Sequence, residues 1–168
     1  MMAQIAHSPK STRIFGCAIF LIAILSYFSE AIGASASHPF ATFNFRKMDL
    51  DIEDGEVDML VTFTLGAGSN GIEPAKEAVS LQVTGGAGAY SVTLPAGSFK
   101  ADRSGAFRFQ GIINKVKLDA TVRPMPGGAF QFEIITEGAN LKGFANPVTV
   151  SLTIGDDGAS RTVKAEIE

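Results

Sequence analysis

The sequence predicts an all-β domain, an antiparallel β-sandwich or partly closed β-barrel of about nine strands, preceded by a cleaved signal peptide. Three observations lead there. Beyond Ser37, apolar residues never keep the i, i+3, i+4, i+7 spacing over the length of a helix, whereas period-two alternation recurs throughout. Clusters of Gly, Pro, Asn and Asp separate the alternating runs at short intervals. Apolar residues form 46% of the 168-residue chain, too many for disorder and enough for a packed core.

Residues 1–36 read as the signal peptide. Lys10 and Arg13 supply a positive start, and Ile14 to Phe28 is an uncharged apolar stretch. The small residues Ala34-Ser35-Ala36 place cleavage before Ser37, with Ala31-Ile32-Gly33 as a second site. Glu30 ends the apolar run short of the about 20 residues that a membrane-spanning helix needs. Cys17 lies inside the apolar stretch, where a lipidated cysteine would not be. The product, residues 37–168, is expected to be one exported domain without cysteine, so its stability must come from its core.

The first strand runs through Phe43 and Phe45, then Met48, Leu50 and Ile52 with the phase shifted by one. A bulge near Arg46-Lys47 accounts for the shift. Val57, Met59, Val61, Phe63 and Leu65 line one face of the second strand. Asp54-Gly55 is a hairpin signal that pairs Ile52 with Val57 and Leu50 with Met59. Further strands are expected at 79–83, 90–94, 107–113, 116–122, 130–135, 148–154 and 162–167. Their turns contain Gly85-Gly86, Asn114-Lys115, Pro124 to Gly128, and Gly155-Asp156-Asp157-Gly158. Residues 65–83 and 137–154 resemble each other: a Gly-Ala step, a polar loop, a proline, then a Val-Ser-Leu strand. Either an internal duplication or the shared turn chemistry of β proteins gives this likeness.

Charge and aromatic content narrow the function classes. With 14 Lys+Arg against 17 Asp+Glu the net charge is −3, so there is no basic surplus for nucleic acid. Tyr90 is the sole tyrosine after the leader and tryptophan is absent, which argues against the aromatic girdles of an outer-membrane barrel. No membrane span is expected after leader cleavage.

The densest chemistry is Asp49, Asp51, Glu53, Asp54, Glu56 and Asp58. On the expected hairpin Asp51 faces Asp58 and Glu53 faces Glu56, and like charges so placed repel. A bound Ca²⁺ would offset this, since it takes several carboxylate and carbonyl oxygens. The spacing is not that of an EF-hand: a loop begun at Asp49 puts Asp54 at the glycine position and Leu60 at the glutamate position. The other reading is a solvated acidic hairpin that discourages edge pairing. Asp156 and Asp157 read as residues of a plain turn.

The loops 66–77 and 138–147 offer Asn70, Asn140 and Asn146 to a ligand such as a sugar, with Tyr90, Phe99 and Phe144 as the available aromatic platforms. His38, the sole histidine after the leader, falls beside the cleavage point, where chains are commonly loose. That leaves no base for a nucleophilic triad and no nitrogen or sulfur set for zinc. Ser98-Phe99-Lys100 is one residue too short for the S-x-x-K pattern.

The stretches LGAGSNGIEP (65–74), LPAGSFK (94–100) and NPVTVSLTIGDD (146–157) together resemble all-β units of exported bacterial proteins with no established function. The resemblance spans most of residues 43–167. It implies the fold and export, and transfers no site residue. The expected function is therefore an exported, non-catalytic binding or structural module that meets a protein, glycan or surface polymer at the cell envelope or beyond it. The alternatives are a glycan hydrolase using paired carboxylates such as Asp51 and Asp58, and a small-molecule-binding barrel lined by Phe63, Phe107, Phe109, Phe130 and Phe132.

Overall fold

The computed structural model describes residues 36–168. The expected leader lies outside the described residues apart from Ala36. Twelve strands and one 3₁₀ turn, Pro126–Gly128, make up the described chain. The strands are β1 (His38–Pro39), β2 (Thr42–Asp51), β3 (Glu56–Thr64), β4 (Val79–Gly85), β5 (Gly88–Leu94), β6 (Lys100–Ala101), β7 (Phe107–Ile113), β8 (Val116–Met125), β9 (Ala129–Glu137), β10 (Val148–Ile154), β11 (Asp157–Val163) and β12 (Glu166–Ile167). Among the described residues no helix is long and apolar enough to cross a membrane.

These strands form two open sheets, ordered β1-β11-β10-β4-β5 and β12-β2-β3-β9-β8-β7-β6. The fold is thus a sandwich, and the barrel alternative is not formed. Neighbours pair antiparallel except β1 with β11 and β12 with β2, which are parallel. Period-two patterning places Val57, Met59, Val61 and Phe63 of β3 wholly in the core, facing Val79, Leu81 and Val83 of β4 and Val148, Val150 and Leu152 of β10 within one hydrophobic cluster. Of the phenylalanines expected to line a cavity, Phe63 and Phe132 are buried in that cluster. Phe107, Phe109 and Phe130 pack against it. Phe63 stacks between Phe40 and Phe130, with ring centroids 4.3 and 5.5 Å away.

Twelve strands replace the expected nine because three two-residue strands escape a periodicity test. The expected strand 162–167 is in fact two pieces in different sheets. The chain leaves β11 after Val163 and enters β12 at Glu166. Asn146 holds the crossing: its Nδ2 donates to the Ala165 carbonyl (2.8 Å) and its Oδ1 accepts the Ala165 N–H (2.7 Å).

The β2–β3 hairpin keeps the expected faces but not the expected register. The bulge lies where the phase shift puts it, between Phe45 and Lys47. At the turn, Leu50 pairs with Val57 and Met48 with Met59, a slip of two residues along β2. Asp51 is the cause. Its Oδ1 accepts the N–H groups of Glu53 (2.9 Å) and Asp54 (3.0 Å), which opens the turn to four residues ending in Gly55 at φ +67°. A slip of two preserves every face because the side-chain period is two.

The two similar segments make the same move. β3 leads through residues 65–78 into β4, and β9 leads through residues 138–147 into β10, each time crossing from the larger sheet to the smaller. β3 lies antiparallel beside β9 and β4 antiparallel beside β10. The order β2-β3-β9-β8 in one sheet and β5-β4-β10-β11 in the other has a two-fold topological relation. The hairpins β4–β5 and β10–β11 are matched, with seven residues in every strand and two-residue turns at 86–87 and 155–156. Gly88 of β5 therefore stands where Asp157 stands in β11.

Candidate functional site

The hairpin carboxylates are shared among different partners. Asp49 faces Asp58 across the strand pair, and Asp51 faces Glu56, in place of the expected Asp51–Asp58 and Glu53–Glu56 pairs. Lys47, next to the bulge, reaches both members of the first pair, with Nζ 3.2 Å from Asp49 Oδ2 and 2.6 Å from Asp58 Oδ2. The hydrogen bond to Asp58, then that to Asp49, holds the Lys47 ammonium well above the ordinary lysine range. The like charges of the Asp49–Asp58 pair are thus compensated from within the chain. Asp51 is engaged by the turn, and Glu53 and Asp54 stand exposed at its tip. Glu166 of β12 and Glu168 just after it line a groove of about 230 Å³ with Asp49, Leu50, Asp51 and Glu56.

The three loop asparagines, Asn70, Asn140 and Asn146, are all exposed, and two of them also hold the local backbone. Asn146 holds Ala165, and Asn140 Oδ1 accepts the N–H of Lys142 at 3.3 Å, closing a local turn. Tyr90, Phe99 and Phe144 are buried in the core, so none of the three is a stacking platform at the surface. Burial pushes the Tyr90 phenol up to about 12, and its hydroxyl has no hydrogen-bond partner among the described residues.

Chemistry gathers instead where the sequence suggests a loose tail and a plain turn. The segment at 37–40 is pinned to the β10–β11 hairpin. Ser37 and His38 both donate their N–H to the Asp156 carbonyl (2.9 and 3.0 Å), and the Phe40 N–H bonds the Gly158 carbonyl at 2.9 Å. Only glycine fits at 158, since a Cβ there would lie 2.7 Å from the Leu152 carbonyl oxygen and 2.9 Å from the Ala36 side chain. This pairing brings the His38 imidazole to the turn, where Nδ1 lies 3.1 Å from Asp156 Oδ2.

Asp157 is the first residue of β11, opposite Ile154, so its side chain points inward with that of Ile154 and is wholly buried. Its Oδ2 accepts a hydrogen bond from the Ser69 hydroxyl (2.9 Å), delivered by the β3–β4 loop. Its Oδ1 is buried without a partner among the described residues. One ligand-type atom from each of His38, Asp156 and Asp157 lies within 4.8 Å of the others. The signal that finds Asp157 is the turn length. A two-residue Gly155-Asp156 turn makes Asp157 a strand residue, and alternation from Ile154 then turns it toward the core.

No family model, curated protein or solved structure matches the chain.

Proposed function

We propose that the chain is an exported, non-catalytic β-sandwich module with a binding or structural role at the cell envelope or outside the cell, and that a strand of a partner protein docks along β5. The observation that carries this reading is the unfilled place beside β5. The two-fold relation equates the β5 edge with the β11 edge, and β11 is covered by β1 at Asp157 and Gly158. Among the described residues nothing pairs with the outer side of β5. This strand runs Gly-Ala-Tyr-Ser-Val-Thr-Leu, with neither charge nor proline. Edges normally carry such residues to stop unwanted pairing, and a neutral seven-residue edge is a template for an added strand. The other flank is closed by Arg161 of β11, whose Nη1 donates to the Phe43 carbonyl of β2 at 2.7 Å.

The test sediments a bacterial cell-envelope fraction with the exported product, residues 37–168, which carries the whole described sandwich. The expected result is protein in the pellet and no soluble fragments released. An Ala89→Lys/Ser91→Lys variant, charged on the exposed side of β5, should stay in the supernatant with an unchanged thermal midpoint. Protein that neither sediments nor releases fragments contradicts the reading. Fragment release that disappears with Asp49→Asn/Asp58→Asn identifies the carboxylate hydrolase instead.

A further inference from the structure

We propose that His38, Asp156 and Asp157 form a binding site for a divalent first-row transition-metal ion, with zinc the best chemical fit. The strongest ground is Asp157. Its carboxylate is wholly buried, no Lys or Arg pairs with it among the described residues, and its Oδ1 has no hydrogen-bond partner. A buried carboxylate is retained where a cation or a full set of donors compensates it. The Ser69 hydroxyl on Oδ2 is the only donor to it among the described residues, and it suits the outer-shell hydrogen bond of a metal-ligating carboxylate.

The contact between His38 and Asp156 supports the same conclusion. Nδ1 and Oδ2 are 3.1 Å apart, yet they are not aligned as donor and acceptor, and Nδ1 is buried without a hydrogen bond. Two ligands of one tetrahedral zinc ion, each bound at about 2.0–2.2 Å, sit about 3.3–3.6 Å from one another. The 3.1 Å contact and the 4.8 Å bound on the whole set bracket that separation, so sub-ångström side-chain shifts would bring the three ligand atoms around one ion. One imidazole nitrogen with two carboxylates favours zinc over calcium or magnesium, which prefer oxygen alone. The His38 and Asp156 side chains are 32% and 44% exposed, so an ion has a way in while Asp157 forms the floor.

The two-fold relation adds an internal comparison. At the place equivalent to Asp157 the other half has Gly88, against which the Phe144 ring packs so closely that a Cβ would lie 2.4 Å from it. One half fills this place with an aromatic ring, and the other keeps an unsatisfied carboxylate there. An ion at the site would tie together β1, the β3–β4 loop and the β10–β11 turn. β1 is only two residues long and has the most to gain. This inference does not depend on docking at β5.

The experiment measures zinc binding by equilibrium dialysis and the thermal midpoint of the full-length chain in EDTA and in zinc chloride. The expected result is one His38-dependent zinc per chain and a midpoint several degrees higher in zinc, because a ligand of the native state stabilises it by mass action. Both effects should vanish in His38→Gln and in Asp157→Asn, and persist in Asp49→Asn/Asp58→Asn. Asp157→Asn changes a core residue, so His38→Gln, at the half-exposed rim, decides the matter if that variant does not fold. A wild-type chain with no zinc response, or a zinc response undiminished in His38→Gln, overturns the proposal.

Discussion

Single buried polar atoms set the sharpest local energies in this molecule. Thr136, wholly buried in β9, accepts the Val57 N–H with its Oγ1 (2.9 Å) and donates to the Gly55 carbonyl (3.3 Å). Thr136→Val keeps the shape but strands the Val57 N–H, while the Gly55 carbonyl keeps the Ala139 N–H at 2.9 Å, so urea unfolding should show a loss of about 1–3 kcal/mol. Tyr90 is the opposite case. Its hydroxyl is buried with no partner among the described residues, and Tyr90→Phe should leave stability unchanged or raise it by about 1 kcal/mol at neutral pH. The phenol titrates near 12 in the folded chain, above its ordinary value of about 10. Folding therefore favours the protonated form. That contribution is complete below about pH 10 and is lost as pH rises through about 12. Urea midpoints measured across that window should fall less steeply in Tyr90→Phe than in the wild type. An equal fall in both would contradict the assignment.

At the scale of elements, the β2–β3 hairpin shows what is legible in a sequence. Alternation is local, so the strand faces, the bulge at Arg46 and the position of the turn can be read from apolar spacing alone. The register could not, because it depends on whether Asp51 folds its carboxylate back onto the N–H groups of Glu53 and Asp54. The Asp54-Gly55 dipeptide carries no information on that point. Gly55 is then fixed twice, by φ +67° and by a Cβ position only 2.3 Å from the Ala139 carbonyl oxygen. Gly55→Ala should cost about 1–3 kcal/mol or more in chemical denaturation, since backbone rather than a flexible side chain must yield. Lys47→Ala, which leaves Asp49 and Asp58 opposed without a counter-ion, should cost about 1 kcal/mol or less. The loss should shrink at high salt, where exposed charges are screened.

For the whole molecule, the decisive contacts join residues far apart in sequence. His38 pairs with Asp157 across 119 positions and in parallel, so neither periodicity nor hairpin chemistry reports it. The same is true of β12 beside β2. The likeness of 65–83 to 137–154 was visible, but its meaning was not. It becomes a two-fold relation only once β3 and β9, and β4 and β10, are seen as neighbours. That relation leaves one flank capped at Asp157 and Gly158 by the N-terminal strand and the other ending in a neutral β5 with no outer partner among the described residues. Amide hydrogen exchange of the full-length chain tests this asymmetry most directly, because it reads both flanks at once. The N–H groups of Ser37, His38 and Phe40 are each hydrogen-bonded to the β10–β11 hairpin and should exchange slowly, like those of β10. Along β5, alternate amides that point away from β4 should exchange fast in the free protein. Rapid exchange throughout 37–40, together with uniform protection along β5, would contradict the account.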